Sequence, residues 1–333
     1  MRDIQNYSLL QHNTFGMDVS CRRFLEYENV EEAQQVAAIL RDSHQPFLII
    51  GSGSNLLLTG DYDGIVVHSA IRGIEEHDAM VTAGSGETFD QLISWCIAHG
   101  LYGLINLSLI PGDVGASAVQ NIGAYGVEVA QYINKVEAVE IATGKVVTIL
   151  AAECGYAYRQ SLFKTEWKNR YLITRVTYQL STVFEPHIDY GNIRAELERQ
   201  GIASPSPEQL RQVIIDIRRS KLPDPDVEGN AGSFFVNPIV QRSLFEELLT
   251  HYPDMPHYPV DDEHVKIPAG WMIERCGWKG KSLGRAGVHS KQALVLVNRG
   301  GATGNDVVTL CRQIQHDVKA MFGVEINPEV NIV

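Results

Sequence analysis

Two short turns and one long segment hold the residues best suited to chemistry. Gly51-Ser52-Gly53-Ser54-Asn55 and Gly84-Ser85-Gly86 each follow an apolar run. Backbone N–H groups in such turns can converge on an anion, and Ser54 and Asn55 add donors. The dinucleotide fingerprint needs a third glycine where helix meets strand. Leu56 occupies that place in the first turn and Phe89 falls near it in the second, so neither is a Rossmann loop. A phosphate cradle and an ordinary tight turn both stay open. The segment from Ile110 to Gly126 packs four glycines and three alanines around few charges, with Gln120 and Asn121 as hydrogen-bonding groups. Small residues of this kind admit a flat or phosphorylated ligand, or serve close packing in a buried segment. Arg159 follows two tyrosines, and its guanidinium fork suits a carboxylate, although a solvated cation is the commoner use. Ser233 lies between Gly232 and Phe234, where a turn hydroxyl is usual, and no Gly-x-Ser-x-Gly elbow supports a serine hydrolase.

These residues need alternating elements to hold them. Val30–Leu40 has helical periodicity behind Asn29 as N-cap, and Pro46–Ile50, Ile65–Ser69 and Met80–Gly84 read as strands. Thr88–His99 is an amphipathic helix stopped by Gly100. Val136–Ile141 and Lys145–Leu150 flank Ala142-Thr143-Gly144 as a hairpin, and Tyr171–Leu180 alternates with period two. A polar, turn-rich stretch ends at Ser204–Pro207, where Ser206 caps a helix begun by Pro207. The main domain boundary is expected near residues 200–215. Beyond it come a helix over Ala269–Cys276, the strand Ala293–Asn298 and a helix from Asn305 to Phe322 before Gly323.

The 333 residues suggest two or three domains with clefts, and 44% apolar with 20% charged residues is ordinary globular composition. With 28 Lys plus Arg against 40 Asp plus Glu, the net charge of −12 disfavours nucleic acid and anionic lipid as partners. A phosphorylated ligand then needs a local cationic cluster. No run reaches the ~18 apolar residues of a membrane span, and no signal peptide is read, so no membrane association is expected. Cys21, Cys96, Cys154, Cys276 and Cys311 form no Cys-x-x-Cys pair and no zinc set, consistent with reduced thiols in a cytoplasmic protein and with no metal.

The order of residues is more specific than composition. GSGSNLL at 51–57, IPGDVGASAVQNIGAYG at 110–126, GYAYRQSLFK at 155–164, RRSKLPDP at 218–225, GNAGSFFVNP at 229–238, IPAGWMIERCGWKG at 267–280 and NPEV at 327–330 run in family order. Together they resemble the UDP-N-acetylenolpyruvoylglucosamine reductases, flavoenzymes that make UDP-N-acetylmuramic acid for peptidoglycan. The resemblance covers essentially the whole chain. It implies an α+β, three-domain flavoprotein: two FAD-binding α+β subdomains of the vanillyl-alcohol-oxidase-like type at 1–70 and 71–212, and an α+β substrate-binding domain at 213–333 whose C-terminal segment returns to the active site.

Under that resemblance, non-covalent FAD lies along Gly51, Ser52, Gly53, Ser54 and Asn55, and along Pro111, Gly112, Gly115, Ala116, Gln120, Asn121, Gly123, Ala124, Tyr125 and Gly126. Neither loop holds the His or Cys that tethers flavin in some relatives of the fold. NADPH is the implied co-substrate: it reduces FAD, and the flavin passes hydride to the methylene carbon of UDP-N-acetylglucosamine enolpyruvate. Arg159 and Glu329 then stabilise the enol intermediate and Ser233 protonates the carbon. Lys221 and Asn237 match positions that grip the UDP diphosphate, with Arg218 one helical turn before Lys221. Tyr190 rides on a lid loop at 184–206 that marks the longer, type I members. Two positions depart from the resemblance: Val236, where a relative carries Lys, and Asn331, where Arg is frequent. A monomer is expected. A flavin-dependent alcohol or lactone oxidase of the same fold is the alternative, and a UDP-sugar-binding sensor without flavin is a third reading. The oxidase leaves the 221–225 and 232–235 motifs unexplained, and the glycine-rich segments count against the sensor.

Overall fold

The computed structural model describes residues Met1–Val333. They group into two compact units, each contributed by separated stretches of chain: Met1–Tyr7, Cys21–Ser52 and Tyr62–Ser220 in one, Ser8–Ser20, Gly53–Asp61 and Lys221–Val333 in the other. The chain therefore changes unit at Ser220, a few residues beyond the boundary expected from sequence.

The first unit contains two sheets. In the four-stranded one the order is Arg2–Ser8, Ser20–Tyr27, Tyr62–Ser69, Phe47–Ile50. Both Ser20–Tyr27 and Phe47–Ile50 run parallel to Tyr62–Ser69, and the helix Val30–Ser43 makes the crossover between them. Asn29 starts that helix as expected, its Oδ1 accepting from Glu32 N at 2.9 Å. The second sheet is antiparallel, in the order Val146–Leu150, Ile133–Glu140, Tyr171–Gln179, Met80–Gly84, Ile74–His77. The hairpin forms with Val139 opposite Val146, and Gly144 supplies the left-handed turn residue at φ 69°.

Period-3.6 patterning explains how the helices seat. Ala33, Val36, Ala37 and Leu40 face Leu25, Ile65 and Val67 of the first sheet and Val139 and Leu172 of the second, so one helix serves both. Tyr27 donates to Ile173 O at 2.8 Å, and Ser85 Oγ, which also bonds Ser69 Oγ, donates to the same carbonyl at 2.7 Å. The helices Phe89–Ala98 and Pro207–Lys221 bury Leu92, Ile93, Val213 and Ile214 with Val81, Val136 and Val176. The polar stretch after residue 184 contains a short helix, Ile193–Arg199, that sequence periodicity does not reveal.

In the second unit the strands Asn230–Ser233, Val295–Asn298, Ala286–Val288 and Ser282–Leu283 form one sheet. The helix Gly304–Phe322 buries Val307, Leu310, Ile314 and Val318 and ends at Gly323 with φ 66°. The helix Ala269–Arg275 and a small sheet of Ile239–Gln241, His264–Lys266 and Tyr258–Pro259 complete it. Residues 8–20 join through Thr14, whose Oγ1 donates to Asn230 O at 2.6 Å and whose carbonyl accepts from Asn230 N at 2.9 Å. Residues 331–332 form a parallel pair with Leu56–Leu57. No helix is long and apolar enough to cross a membrane.

Candidate active site

Within the first unit, the 110–126 segment is more ordered than its glycine content suggests. It holds a helix, Val114–Gln120, and a small hairpin pairing Gly123 and Ala124 with Glu128 and Val127. Asn121 and Tyr125 adopt left-handed backbone, φ 44° and 49°, as does Arg159 at 56°, conformations non-glycine residues hold only where the surroundings fix them. Asn121 is fully buried: Nδ2 donates to Glu128 Oε2 at 2.9 Å and to Ala157 O at 2.8 Å, and Oδ1 accepts from Ala130 N at 3.2 Å. All its polar atoms bond protein, so it acts by fixing the segment to the Arg159 loop. Arg159 Nη2 donates to Gly123 O at 2.6 Å, its guanidinium lies 5.6 Å from the Tyr158 ring centroid, and its carbonyl accepts from Lys164 Nζ at 3.0 Å.

Arg218 lies beside Tyr125 and Asp90, with Arg159 repelling it, and its Nε is buried without a hydrogen-bond partner. Burial pushes its guanidinium below the ordinary value, against the favourable charges of Tyr125 and Asp90. Tyr190 and Gly191 meet the same segment. A Cβ on Gly126 would lie 3.3 Å from Tyr190 Cβ, and one on Gly191 would lie 3.7 Å from the Tyr125 ring. Asn106, 2% exposed, donates through Nδ2 to Tyr125 O at 3.0 Å and to His187 O at 2.9 Å, tying the 184–191 stretch to the segment. Asn106 had no motif to mark it in the sequence.

Gly51 packs closely on this segment: a Cβ there would sit 3.0 Å from Asp113 Oδ2 and 3.1 Å from Ala116 Cβ. Ser52 Oγ and Asp113 Oδ2 are buried and have no hydrogen-bond partner. The first glycine turn and the 110–126 segment thus adjoin through Gly51, Asp113 and Ala116, and two segments of small residues with many backbone N–H groups fit a phosphate-bearing cofactor such as FAD.

In the second unit Gly53 is glycine for a different reason from ligand approach. A Cβ there would fall 2.0 Å from His12 O, at φ 72°. Asn55 Nδ2 donates to Glu329 O at 3.4 Å, while Asn55 O accepts from both the backbone N and the Nδ2 of Asn331 at 3.1 Å. Asn331, a departure from the family, thus holds the glycine loop. Just beyond the strand Asn230–Ser233 the chain meets the C-terminal segment: Glu329 N donates to Phe234 O at 2.8 Å, Phe235 bridges Pro328, and Val236 N donates to Asn327 O at 3.0 Å. Glu329 therefore lies against Phe234, while Ser233 ends the strand Asn230–Ser233 opposite Val295. Gly232, at φ 69°, turns the chain into it. Asn237 Oδ1 accepts from Ala269 N at 2.9 Å, which fixes the amide's orientation, and Lys221 ends the helix Pro207–Lys221.

Comparison with known proteins accords with this arrangement. A family model described as the UDP-N-acetylenolpyruvoylglucosamine reductase C-terminal domain matches residues 224–333, and an FAD binding domain model matches residues 22–150. The chain is 52% identical over 335 residues to UDP-N-acetylenolpyruvoylglucosamine reductase of Bacteroides fragilis, covering 99% of both chains. It is 46% identical over 336 residues to the enzyme of that name in Burkholderia ambifaria, covering 98% of this chain and 95% of the relative. The crystal structure of UDP-N-acetylenolpyruvylglucosamine reductase from Thermus caldophilus matches 99% of this chain and 98% of its own, at TM-score 0.69 and 22% identity, and so shares its fold. Identity at this level along the full length, with an FAD-binding region in place, makes the chain a member of the UDP-N-acetylenolpyruvoylglucosamine reductases, enzymes with FAD as cofactor.

Proposed function

We propose that the chain carries out the NADPH-dependent reduction of UDP-N-acetylglucosamine enolpyruvate to UDP-N-acetylmuramate. FAD, when bound, relays hydride from the nicotinamide to the methylene carbon of the enolpyruvyl group. As charge develops on the adjoining carbon and its carboxylate, Arg159 supplies a fixed cation, already oriented by Gly123 O and the Tyr158 ring. Glu329 stabilises the enol form, and Ser233 Oγ–H delivers a proton to the carbon. The observation that supports this reading is the hydrogen bond from Glu329 N to Phe234 O, which brings the 327–329 segment against the residue next to Ser233.

Lys221, Asn237 and Arg218 are assigned to the substrate's phosphates and carboxylate, and Tyr190 to a lid that expels water. The three-domain division at 1–70, 71–212 and 213–333 remains our reading, its first two parts corresponding to the two sheets of the first unit. A cytoplasmic, monomeric enzyme with five free thiols fits a nucleotide-sugar substrate. The test is the flavin spectrum of the purified protein. NADPH should bleach it, and the enolpyruvyl substrate should restore it without oxygen. Restoration only by oxygen, with consumption driven by an alcohol or lactone, would replace this reaction with the oxidase.

A further inference from the structure

Ser233 is exposed, so the aim of its hydroxyl depends more on the backbone that carries it than on side chains packed around it. That backbone departs from a regular strand. Asn230 lies opposite Val297 and Ser233 opposite Val295, three steps on one strand against two on the other. Unbroken register would put Gly232 opposite Val295. The extra residue makes a β-bulge, with Gly232 in left-handed backbone at φ 69°. Because successive residues of a strand face opposite sides, this one-residue insertion turns Ser233 to the side it would otherwise point away from.

Asn230 holds the bulge. It is 5% exposed, and its Oδ1 accepts from Gly232 N at 2.9 Å. Its Nδ2 donates to Glu228 O at 2.8 Å and to Pro223 O, two residues beyond Lys221, at 3.4 Å. The amide thus bonds backbone before and after its own position, which fixes the path of the chain from Pro223 to Gly232. Thr14 fixes the backbone of Asn230 itself, through both its N–H and its carbonyl. Beyond Ser233, Phe234 is fully buried, its ring 6.2 Å from that of Phe15 at 78°, and its N donates to Leu294 O at 2.8 Å. Ser233 therefore stands between two anchored residues, and Asn230 is the anchor on the side of the bulge. We propose that Asn230 is a positioning residue for the reduction, its amide holding the Gly232 bulge that aims Ser233 Oγ at the substrate carbon. This rests on Ser233 as the proton donor and assigns the device that presents it.

The test is stopped-flow measurement of the two half-reactions in the FAD-loaded, full-length enzyme at constant pH, with UDP-N-acetylglucosamine enolpyruvate as the oxidant. Asn230→Ala should leave flavin bleaching by NADPH at the parental rate and slow reoxidation about tenfold or more, since displacing a reacting group by about 1 Å can cost about 100-fold. Asn230→Ser keeps an oxygen that accepts the Gly232 N–H, though more weakly, so reoxidation should fall only severalfold. In the Ser233→Ala background neither substitution should slow reoxidation further, a coupling that a merely structural role for Asn230 would not produce. Should Asn230→Ala fail to fold, Asn230→Ser carries the test: a severalfold loss confined to reoxidation and absent once Ser233 is alanine is the expected result. Parental reoxidation, equal loss in both half-reactions, or an effect additive with Ser233→Ala would overturn the proposal. Asn230→Ser as slow as Asn230→Ala would overturn the route through Gly232. Parental reoxidation by Ser233→Ala itself would instead remove the proton-donor reading, and this proposal with it.

Discussion

Replacing Asn106 by alanine deletes the single nitrogen that donates to both Tyr125 O and His187 O, at 3.0 and 2.9 Å. Neither bond is readily replaced by water, because Asn106 is 2% exposed. At about 0.5–1.5 kcal/mol net per hydrogen bond, the substitution should destabilise the first unit by about 1–3 kcal/mol. For a unit of this size that lowers the melting temperature by roughly 2–4 °C per kcal/mol. Half of the loss falls on the bond to His187, at the root of the lid. A share of about 1 kcal/mol corresponds to roughly fivefold in an equilibrium, so KM for the UDP-sugar should rise about fivefold. The rate of flavin bleaching by NADPH should hardly change, since the lid serves the substrate. Thermal melts followed by circular dichroism and stopped-flow measurement of the two half-reactions separate these effects. A lowered melting temperature with an unchanged KM would refute the coupling of Asn106 to the lid, and an unchanged melting temperature would refute the hydrogen-bond accounting.

Ser233→Ala should leave bleaching by NADPH intact and slow reoxidation by the enolpyruvyl substrate by several powers of ten; parental reoxidation in stopped flow would remove the proton-donor role. Gly53→Ala would place a methyl 2.0 Å from His12 O at φ 72°, so we expect a loss of about 1–3 kcal/mol from overpacking alone, read as a lowered urea midpoint. Stability of the first unit should also follow the Glu26–His68 pair. Glu26 is held below its ordinary value of 4.5: burial opposes this, but Arg2 and His68 prevail, so its contribution is present above that value and fades as pH falls through the lowered pKa. His68 is held above its ordinary 6.5 against burial by Asp113 and Glu26, so its contribution is full below that value and disappears as pH rises through the raised pKa. Melting temperatures should therefore be highest between about pH 4.5 and 6.5, and His68→Gln should flatten the decline on the alkaline side.

Local signals in the chain were sufficient for elements whose own residues determine them. Met80–Gly84 and the helix behind Thr88 follow from alternation, period and Gly100, and the hairpin from Ala142-Thr143-Gly144. The motifs that resemble the reductases also include most residues later found together: Gly123, Tyr125, Gly126 and Arg159 in one unit, Ser233, Asn237 and Glu329 in the other. What local pattern could not show is pairing across distance. Glu26 and His68 stand 42 residues apart and become neighbours only through parallel register. Asn106 looks like one polar residue in an apolar run until two carbonyls from different loops arrive at its nitrogen. Asn121 illustrates the converse: an amide in a ligand-rich motif whose bonding capacity is taken up within the protein.

The short pairing of Asn331–Ile332 with Leu56–Leu57 has a bearing on the time course of folding. Thr59 N and Oγ1 donate to Val333 O at 2.7 and 2.8 Å, across 274 residues of sequence, and Val333 N donates to Leu57 O at 2.9 Å. Contacts of such separation form slowly, because the intervening chain must first be ordered. During synthesis the 53–61 stretch leaves the ribosome long before its partners exist. It can take up its final form only after residues 331–333 have been made, which makes maturation of this turn a late event in folding.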